Sequence, residues 1–240
     1  MAIDRIGSSS INLPPNWLSQ VTSRGGNIGN SREIRKVLGE PLPQIVDPSV
    51  LAAHIAKFFR KNGLLERLRK KLSLISRKKG GKIFAAKNTI ACVDEDDNLY
   101  VGVEFLEQYG DDEEVVAGIL AHEWGHMMSD LPKGVDWSHL TWDELYEMRR
   151  TEEADADGFA GRALFLMNYS YENVVKFFKK LKASQKKKTH SHKYHNTATR
   201  CAIFEESWKA EKRAMEVAKR LFFSEGKTDG PKIGKVIGEG

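Results

Sequence analysis

The sequence predicts an α+β fold that is mostly helical, with a small β-hairpin ahead of a central helix. Apolar residues recur at intervals of three and four in several segments of the 240-residue chain, which is typical of amphipathic helices. Between residues 82 and 106 the pattern changes, because β-branched and aromatic residues flank a polar turn at residues 94–98. With 40% hydrophobic and 30% charged residues, the chain has the composition of a globular protein that can bury a core.

The N-terminal part differs in composition from the rest. Residues 1–45 are rich in Ser, Asn, Gly and Pro and have few periodic apolar positions, so we expect a flexible extension. Asp47 followed by Pro48 is a typical helix start, and helices should follow to about residue 71 with an interruption near Asn62 and Gly63. The expected folded domain spans residues 46–225, and the Gly- and Lys-rich tail, 226–240, is expected to be disordered.

The second half of the chain predicts further helices. In the central one, Asp111 is expected to act as the N-cap, with Glu114 completing a capping box. Another helix should begin near Thr141 or Asp143 and reach about residue 167, and whether it breaks near Thr151 stays open. A basic helix from residue 171 and a last helix from about Arg200 complete the prediction.

The charge is distributed unevenly along the chain. Residues 94–157 contain 20 acidic and 3 basic side chains, whereas residues 57–82 contain 11 basic side chains and one acid. Cys92 and Cys201 cannot build a disulfide framework or a cysteine zinc site. No apolar run has the roughly 20 residues of a transmembrane helix, and no secretory leader is recognisable, so a cytoplasmic location is expected.

The pattern His122-Glu123-Trp124-Gly125-His126 lies within the predicted central helix. Residues four apart share a helix face, so both imidazoles can reach one ion, while the Glu123 carboxylate can contact a metal-bound water. Gly125 costs about 1 kcal/mol of helix propensity, which suggests that a strand or a substrate approaches closely there.

A catalytic zinc ion needs a third protein ligand, and Glu153 is the best candidate. Glu153 and Asp157 are four residues apart and separated by small residues that let a second helix pack closely. One carboxylate can bind the metal, and the other can accept the free ring N–H of a ligating histidine. An alternative assignment, in which Glu152 and Asp155 take these roles, lacks the spacing of four residues. Without a metal site, these acids would form an ordinary solvated helix face.

These segments resemble the M48-type gluzincin metallopeptidases, whose pattern combines H-E-x-x-H, E-x-x-A-D and a downstream segment with His and Arg. The resemblance covers roughly residues 85–205 and implies a compact, soluble α+β zinc endopeptidase. It implies that His122, His126 and Glu153 are ligands, that Glu123 is the base and that Asp157 supports a ligand. A second resemblance, through residues 153–167, is to the M78-type peptidases.

The downstream segment would contribute His195 and Arg200, although Asn196 stands where the family has proline. His195 is the catalytic candidate there, for the donor that stabilises the oxyanion. The other candidates for this donor are Tyr146, His190, His192, Tyr194 and Arg200.

The expected reaction is hydrolysis of a protein or peptide by a zinc-activated water, with Glu123 carrying the proton. Residues 99–105 could form an edge strand to which the substrate adds, or an ordinary core hairpin. Alternatives are a protein whose basic flanks bind nucleic acid, a membrane surface or another anionic partner, and a zinc-stabilised scaffold without activity. Direct nucleic-acid binding is disfavoured, because the acidic centre would repel phosphate.

Overall fold

The computed structural model describes residues 43–94, 96–128, 141–184 and 195–224. Residues 1–42 of the predicted extension and the whole predicted tail lie outside the described residues. The elements are β1 (Gln44–Ile45), a short 3-10 helix (Pro48–Val50), α1 (Ala53–Phe59), α2 (Leu64–Ser76), β2 (Ile83–Lys87), β3 (Ala91–Val93), β4 (Leu99–Gly102), α3 (Val103–Tyr109), α4 (Glu113–Met128), α5 (Trp142–Leu166), α6 (Glu172–Ser184) and α7 (Thr197–Ser224). The described part is therefore a mostly helical α+β structure, as the sequence predicts.

The four strands form one mixed sheet in the order β1-β2-β4-β3. β2 pairs in parallel with β4, whereas β1 pairs antiparallel with β2, and β3 with β4. The β3–β4 hairpin confirms the turn predicted at residues 94–98. Gln44 and Ile45, the last two residues of the predicted extension, belong to this sheet.

Of the two alternatives for residues 99–105, the core hairpin is confirmed for β3 and β4, and the edge strand is wrong in two respects. β4 lies inside the sheet, because β2 and β3 pair with its two sides. The chain also leaves the strand at Gly102 and continues as α3. The physical reason is burial: the side chains of Leu99 and Val101 contribute to the core, which suits an inner strand.

The central helix α4 is surrounded by other elements, and every residue from Val115 to Met127 is buried. A helix that is apolar on all sides is typical of a protein core. Its N-cap is Asp112 and not Asp111, since the Asp112 carboxylate accepts the backbone N–H of Val115 at 3.1 Å. The Asp111 side chain is 97% exposed and pairs with Lys57 instead.

The neighbouring helix α5 is continuous over 25 residues, so it does not break at Thr151. Thr141 and Glu144 form a reciprocal capping box at its start. The predicted interruption near Asn62 and Gly63 is confirmed, because α1 and α2 are separate helices. Within the described part of the chain, no helix is both long and apolar enough to span a membrane.

Candidate metal centre

The helical spacing of His122 and His126 brings their rings together on one face of α4. The two Nε2 atoms are 3.2 Å apart, and the ring planes are nearly perpendicular, at 86°. Both side chains are buried where α4 faces α5. Glu123 lies next to His122 on the same helix and is also buried.

Close contact between α4 and α5 depends on Gly125. A Cβ atom built at this position would lie 2.6 Å from the Cα and 3.0 Å from the carbonyl oxygen of Ala156. The close approach inferred from this glycine is present, but the approaching group is the backbone of a helix and not a strand or a substrate. Small residues at the crossing let the two backbones approach, and this brings the side chains of α5 next to the two histidines.

Glu153 on α5 completes the group of candidate ligands. Its Oε2 atom is 3.2 Å from His122 Nε2, and its Oε1 atom is 3.5 Å from His126 Nε2. Tetrahedral ligands at about 2.0–2.1 Å from a zinc ion are separated from one another by about 3.3 Å. The Nε2–Nε2 separation and the separation of His122 Nε2 from Glu153 Oε2, both 3.2 Å, lie close to this value, whereas the Glu153 oxygen near His126 is Oε1. One ligand atom from each of His122, His126 and Glu153 lies within 4.8 Å of the other two, so this buried group could hold a metal ion.

Asp157 and Arg200 lie behind His122. Asp157 Oδ1 is 2.8 Å from His122 Nδ1, which is ion-pair distance, although the direction of the ring N–H departs from that of a good hydrogen bond. The Arg200 guanidinium donates to both carboxylate oxygens of Asp157, at 2.7 and 2.8 Å. Arg200 comes from α7, whose N-cap is Asn196: its side chain accepts the N–H of Thr199 at 3.0 Å.

Glu152 and Arg149 lie behind His126. Arg149 was not predicted from the sequence to belong to the site, and Glu152 was considered only in the alternative frame that was disfavoured for its spacing. Glu152 Oε1 is 3.4 Å from His126 Nδ1, which is ion-pair distance, although, as at His122, the direction of the ring N–H departs from that of a good hydrogen bond. Arg149 donates to Glu152 and also contacts Glu153, with its Nη2 atom 2.8 Å from Oε1 of that residue. The signal was present in the sequence, because an arginine three residues before one acid and four before the next is suited to binding both on a helix.

The carboxylates control the ionisation of this cluster. Burial by itself would lower the pKa of His122, but the negative charges of the adjacent Asp157 and Glu153 carboxylates outweigh it and raise the pKa to about 9. Burial would raise the pKa of Glu153, but Arg149, His126 and His122 hold it well below its usual value. The pKa of Asp157 is lowered against the effect of burial, chiefly by Arg200. The site therefore favours ionised carboxylates and a positive charge near the imidazoles.

A count of formal charges gives a second argument that the group suits a cation. The acids of the cluster are Glu123, Glu152, Glu153 and Asp157, and its bases other than histidine are Arg149 and Arg200. With neutral imidazoles, four carboxylates against two guanidinium groups leave two negative charges, and in the metal-free protein the proton favoured by the raised pKa of His122 offsets one of them. Buried charge without compensation is costly, and one divalent cation would balance it. Two imidazoles and one carboxylate are a donor set that suits zinc, and other divalent metals also bind such sets.

Of the six residues proposed as oxyanion donors, the structure describes three: Tyr146, His195 and Arg200. His195 lies two residues before α7, and among the described residues no hydrogen bond or ion pair joins it to His122, His126 or Glu153. Arg200 is engaged with Asp157. Tyr146 is on α5, and His190, His192 and Tyr194 lie outside the described residues.

No protein-family model matches the chain, and no curated protein matches it.

Proposed function

We propose that the chain is a zinc-dependent metalloendopeptidase of the gluzincin type that hydrolyses peptide bonds in a protein or peptide substrate. The observation that supports this best is the convergence of three buried candidate ligands, His122, His126 and Glu153. Glu123, the next residue after His122, is buried on the same helix. The M48-type motifs point in the same direction.

A zinc ion bound at these residues would polarise both an attacking water and the scissile carbonyl. Glu123 is not needed as a ligand, so its carboxylate can take a proton from the water and return it to the leaving amine. His122 and His126 present their Nε2 atoms, while the acids behind their Nδ1 atoms favour the tautomer with a proton on Nδ1.

Two features favour an enzyme over a zinc-stabilised scaffold. Structural zinc sites usually have four protein ligands, whereas this group has three within the described residues, which leaves a position for water or substrate. In addition, Glu123 is buried beside the histidines, where a scaffold has no use for a carboxylate that does not bind the metal.

The test compares Glu123→Gln with Glu153→Ala and the wild type, with Glu147→Gln on the exposed side of α5 as a control. Zinc per chain is measured by elemental analysis after dialysis, and hydrolysis is measured on a denatured protein and a mixed peptide library. We expect Glu123→Gln to keep zinc and lose about 100-fold or more of the turnover. Glu153→Ala should lose zinc, and Glu147→Gln should match the wild type.

Three results would overturn the proposal. The first is a wild type that retains no zinc, in which case steep salt-dependent binding to an anionic surface would favour the rival function. The second is a zinc-loaded wild type that cleaves no substrate, which would favour the scaffold. The third is a Glu123→Gln variant that turns over as fast as the wild type, which would remove the assigned base.

A further inference from the structure

The two histidines of the candidate metal centre have similar supports. Behind each imidazole stands a carboxylate, and each carboxylate is in turn bound by an arginine. For His122 the support is Asp157 with Arg200, which reaches the site from α7. For His126 the corresponding pair is Glu152 with Arg149, and both of these residues belong to α5.

The second support is unusually deep in the protein. Arg149 and Glu152 are each only 3% exposed, although arginine and glutamate are rarely buried to this degree. Burying both side chains has a desolvation cost that an ion pair within one helix recovers only in part. Both contacts of Arg149 with the acids lie within α5, at i,i+3 and i,i+4, so they orient side chains of one helix and do not dock two helices.

The contact of Arg149 with Glu153 also selects one carboxylate oxygen. Arg149 Nη2 is 2.8 Å from Oε1 of Glu153, whereas Oε2 has no hydrogen-bond partner of good geometry among the described residues. Oε2 is also the oxygen nearer to His122 Nε2, at 3.2 Å. A guanidinium on Oε1 therefore leaves Oε2 available to an ion.

We propose that Arg149 and Glu152 are positioning residues for the candidate metal centre. Glu152 orients His126 through Nδ1, so that Nε2 faces the ion. Arg149 holds Glu152 in place and presents Oε2 of Glu153 as the ligand oxygen. This inference rests on the proposed metal centre and adds two residues to it, neither of which contacts the ion or the substrate.

The experiment measures zinc affinity and not activity. Arg149→Met and Glu152→Gln are compared with Arg150→Met and Glu147→Gln, which alter a second i,i+3 pair of the same charges on the more exposed side of α5. Zinc dissociation constants are obtained by competition with a chromophoric chelator, and the thermal midpoint of each chelator-treated variant is recorded.

Loss of a residue that orients a ligand typically weakens metal binding by about 10- to 100-fold. We expect losses in this range for Arg149→Met and Glu152→Gln, and changes below about twofold for the two controls. Combining Arg149→Met with Glu152→Gln should cost less than the product of the two separate losses, because both changes disable one unit. Arg149→Lys keeps the charge but not the two-pronged geometry, so it should recover only part of the affinity.

The outcomes separate this inference from the proposed function. If the wild type binds no zinc, the metal centre itself is wrong and the inference fails with it. If the wild type binds zinc and both variants bind it equally tightly, the metal centre stands but the positioning role is overturned. Lower thermal midpoints with unchanged zinc affinity would also overturn it, because the pair then has only a structural role. Should Arg149→Met fail to fold, the nearly isosteric Glu152→Gln decides the question.

Discussion

Replacing Gly125 by alanine should separate the two helices that hold the candidate ligands. The added Cβ would lie 2.6 Å from Ala156 Cα, whereas carbon atoms in contact are normally about 3.5–4.0 Å apart. The obstacle is backbone, so α4 and α5 must move apart by about 1 Å. Metal sites tolerate deviations of about 0.2 Å, and Glu153 lies 3.2 Å from His122 before any movement. Zinc affinity should therefore fall by at least about tenfold.

The effect on stability is expected to be smaller, because two contributions oppose each other. Overpacking costs about 1–3 kcal/mol, while alanine improves the helix propensity at this position by about 1 kcal/mol. The free energy of unfolding of the metal-free protein should therefore fall by up to about 2 kcal/mol. The assays are chelator competition for zinc and denaturant unfolding of chelator-treated protein.

Gly158 on α5 provides the matched control. A Cβ there would meet its nearest neighbour, Ser207 Oγ, at 3.4 Å, which is ordinary contact. Gly158→Ala should keep zinc affinity and stabilise the protein by up to about 1 kcal/mol. If Gly125→Ala binds zinc as tightly as Gly158→Ala does, the argument that close packing of α4 on α5 sets the ligand spacing is refuted.

Two further predictions concern the central helix. Asp112→Ala should lower the free energy of unfolding by about 1 kcal/mol, because it removes the side chain that accepts the Val115 N–H. Asp111→Ala should change this free energy little. If both variants have equal effects in urea unfolding, the assignment of Asp112 as the N-cap is contradicted. In chelator-treated protein, the raised pKa of His122 contributes stability that is fully present below pH 6.5, the ordinary value, and is lost as the pH rises through about 9. The loss should approach about 3 kcal/mol, and a His122→Gln variant whose stability falls in the same way would show that another group is responsible.

The part of the site that follows helical periodicity could be predicted from the sequence. His122 and His126 share one face of α4, and Glu153 and Asp157 share one face of α5, because in both pairs the residues are four positions apart. These two faces can pack together because the side chains at Gly125 and Ala156 are small. Both small residues can be identified in the sequence. The group that approaches Gly125 was misidentified as a strand or a substrate. A glycine in a helix indicates a close approach, but it does not identify the approaching group.

Arg149 was missed, and Glu152 was set aside because it has no acid four residues further along the helix. Glu152 points about 100° around the helix from Glu153, and a one-face description of an amphipathic helix assigns such a residue to solvent. α5 is buried over a wider arc, so that acids on neighbouring faces both reach the histidines of α4. The inner position of β4 was missed because strand order depends on the long-range pairing with β2, and no local pattern encodes that pairing.

Part of the excess of acidic residues between positions 94 and 157 lies at the candidate metal centre. Most of the acids between residues 94 and 157 can be solvated, but Glu123, Glu152, Glu153 and Asp157 are enclosed in the protein interior. Carboxylates in such surroundings must be paired or protonated, or must bind a cation. Arg149 and Arg200 each form ion pairs with these acids, and when both imidazoles are neutral, as metal binding requires, two formal negative charges remain around the histidines. Burial raises the free energy of these carboxylates when no cation is bound, and it therefore favours the binding of a divalent metal. The fold and the proposed chemistry thus depend on the same electrostatic balance.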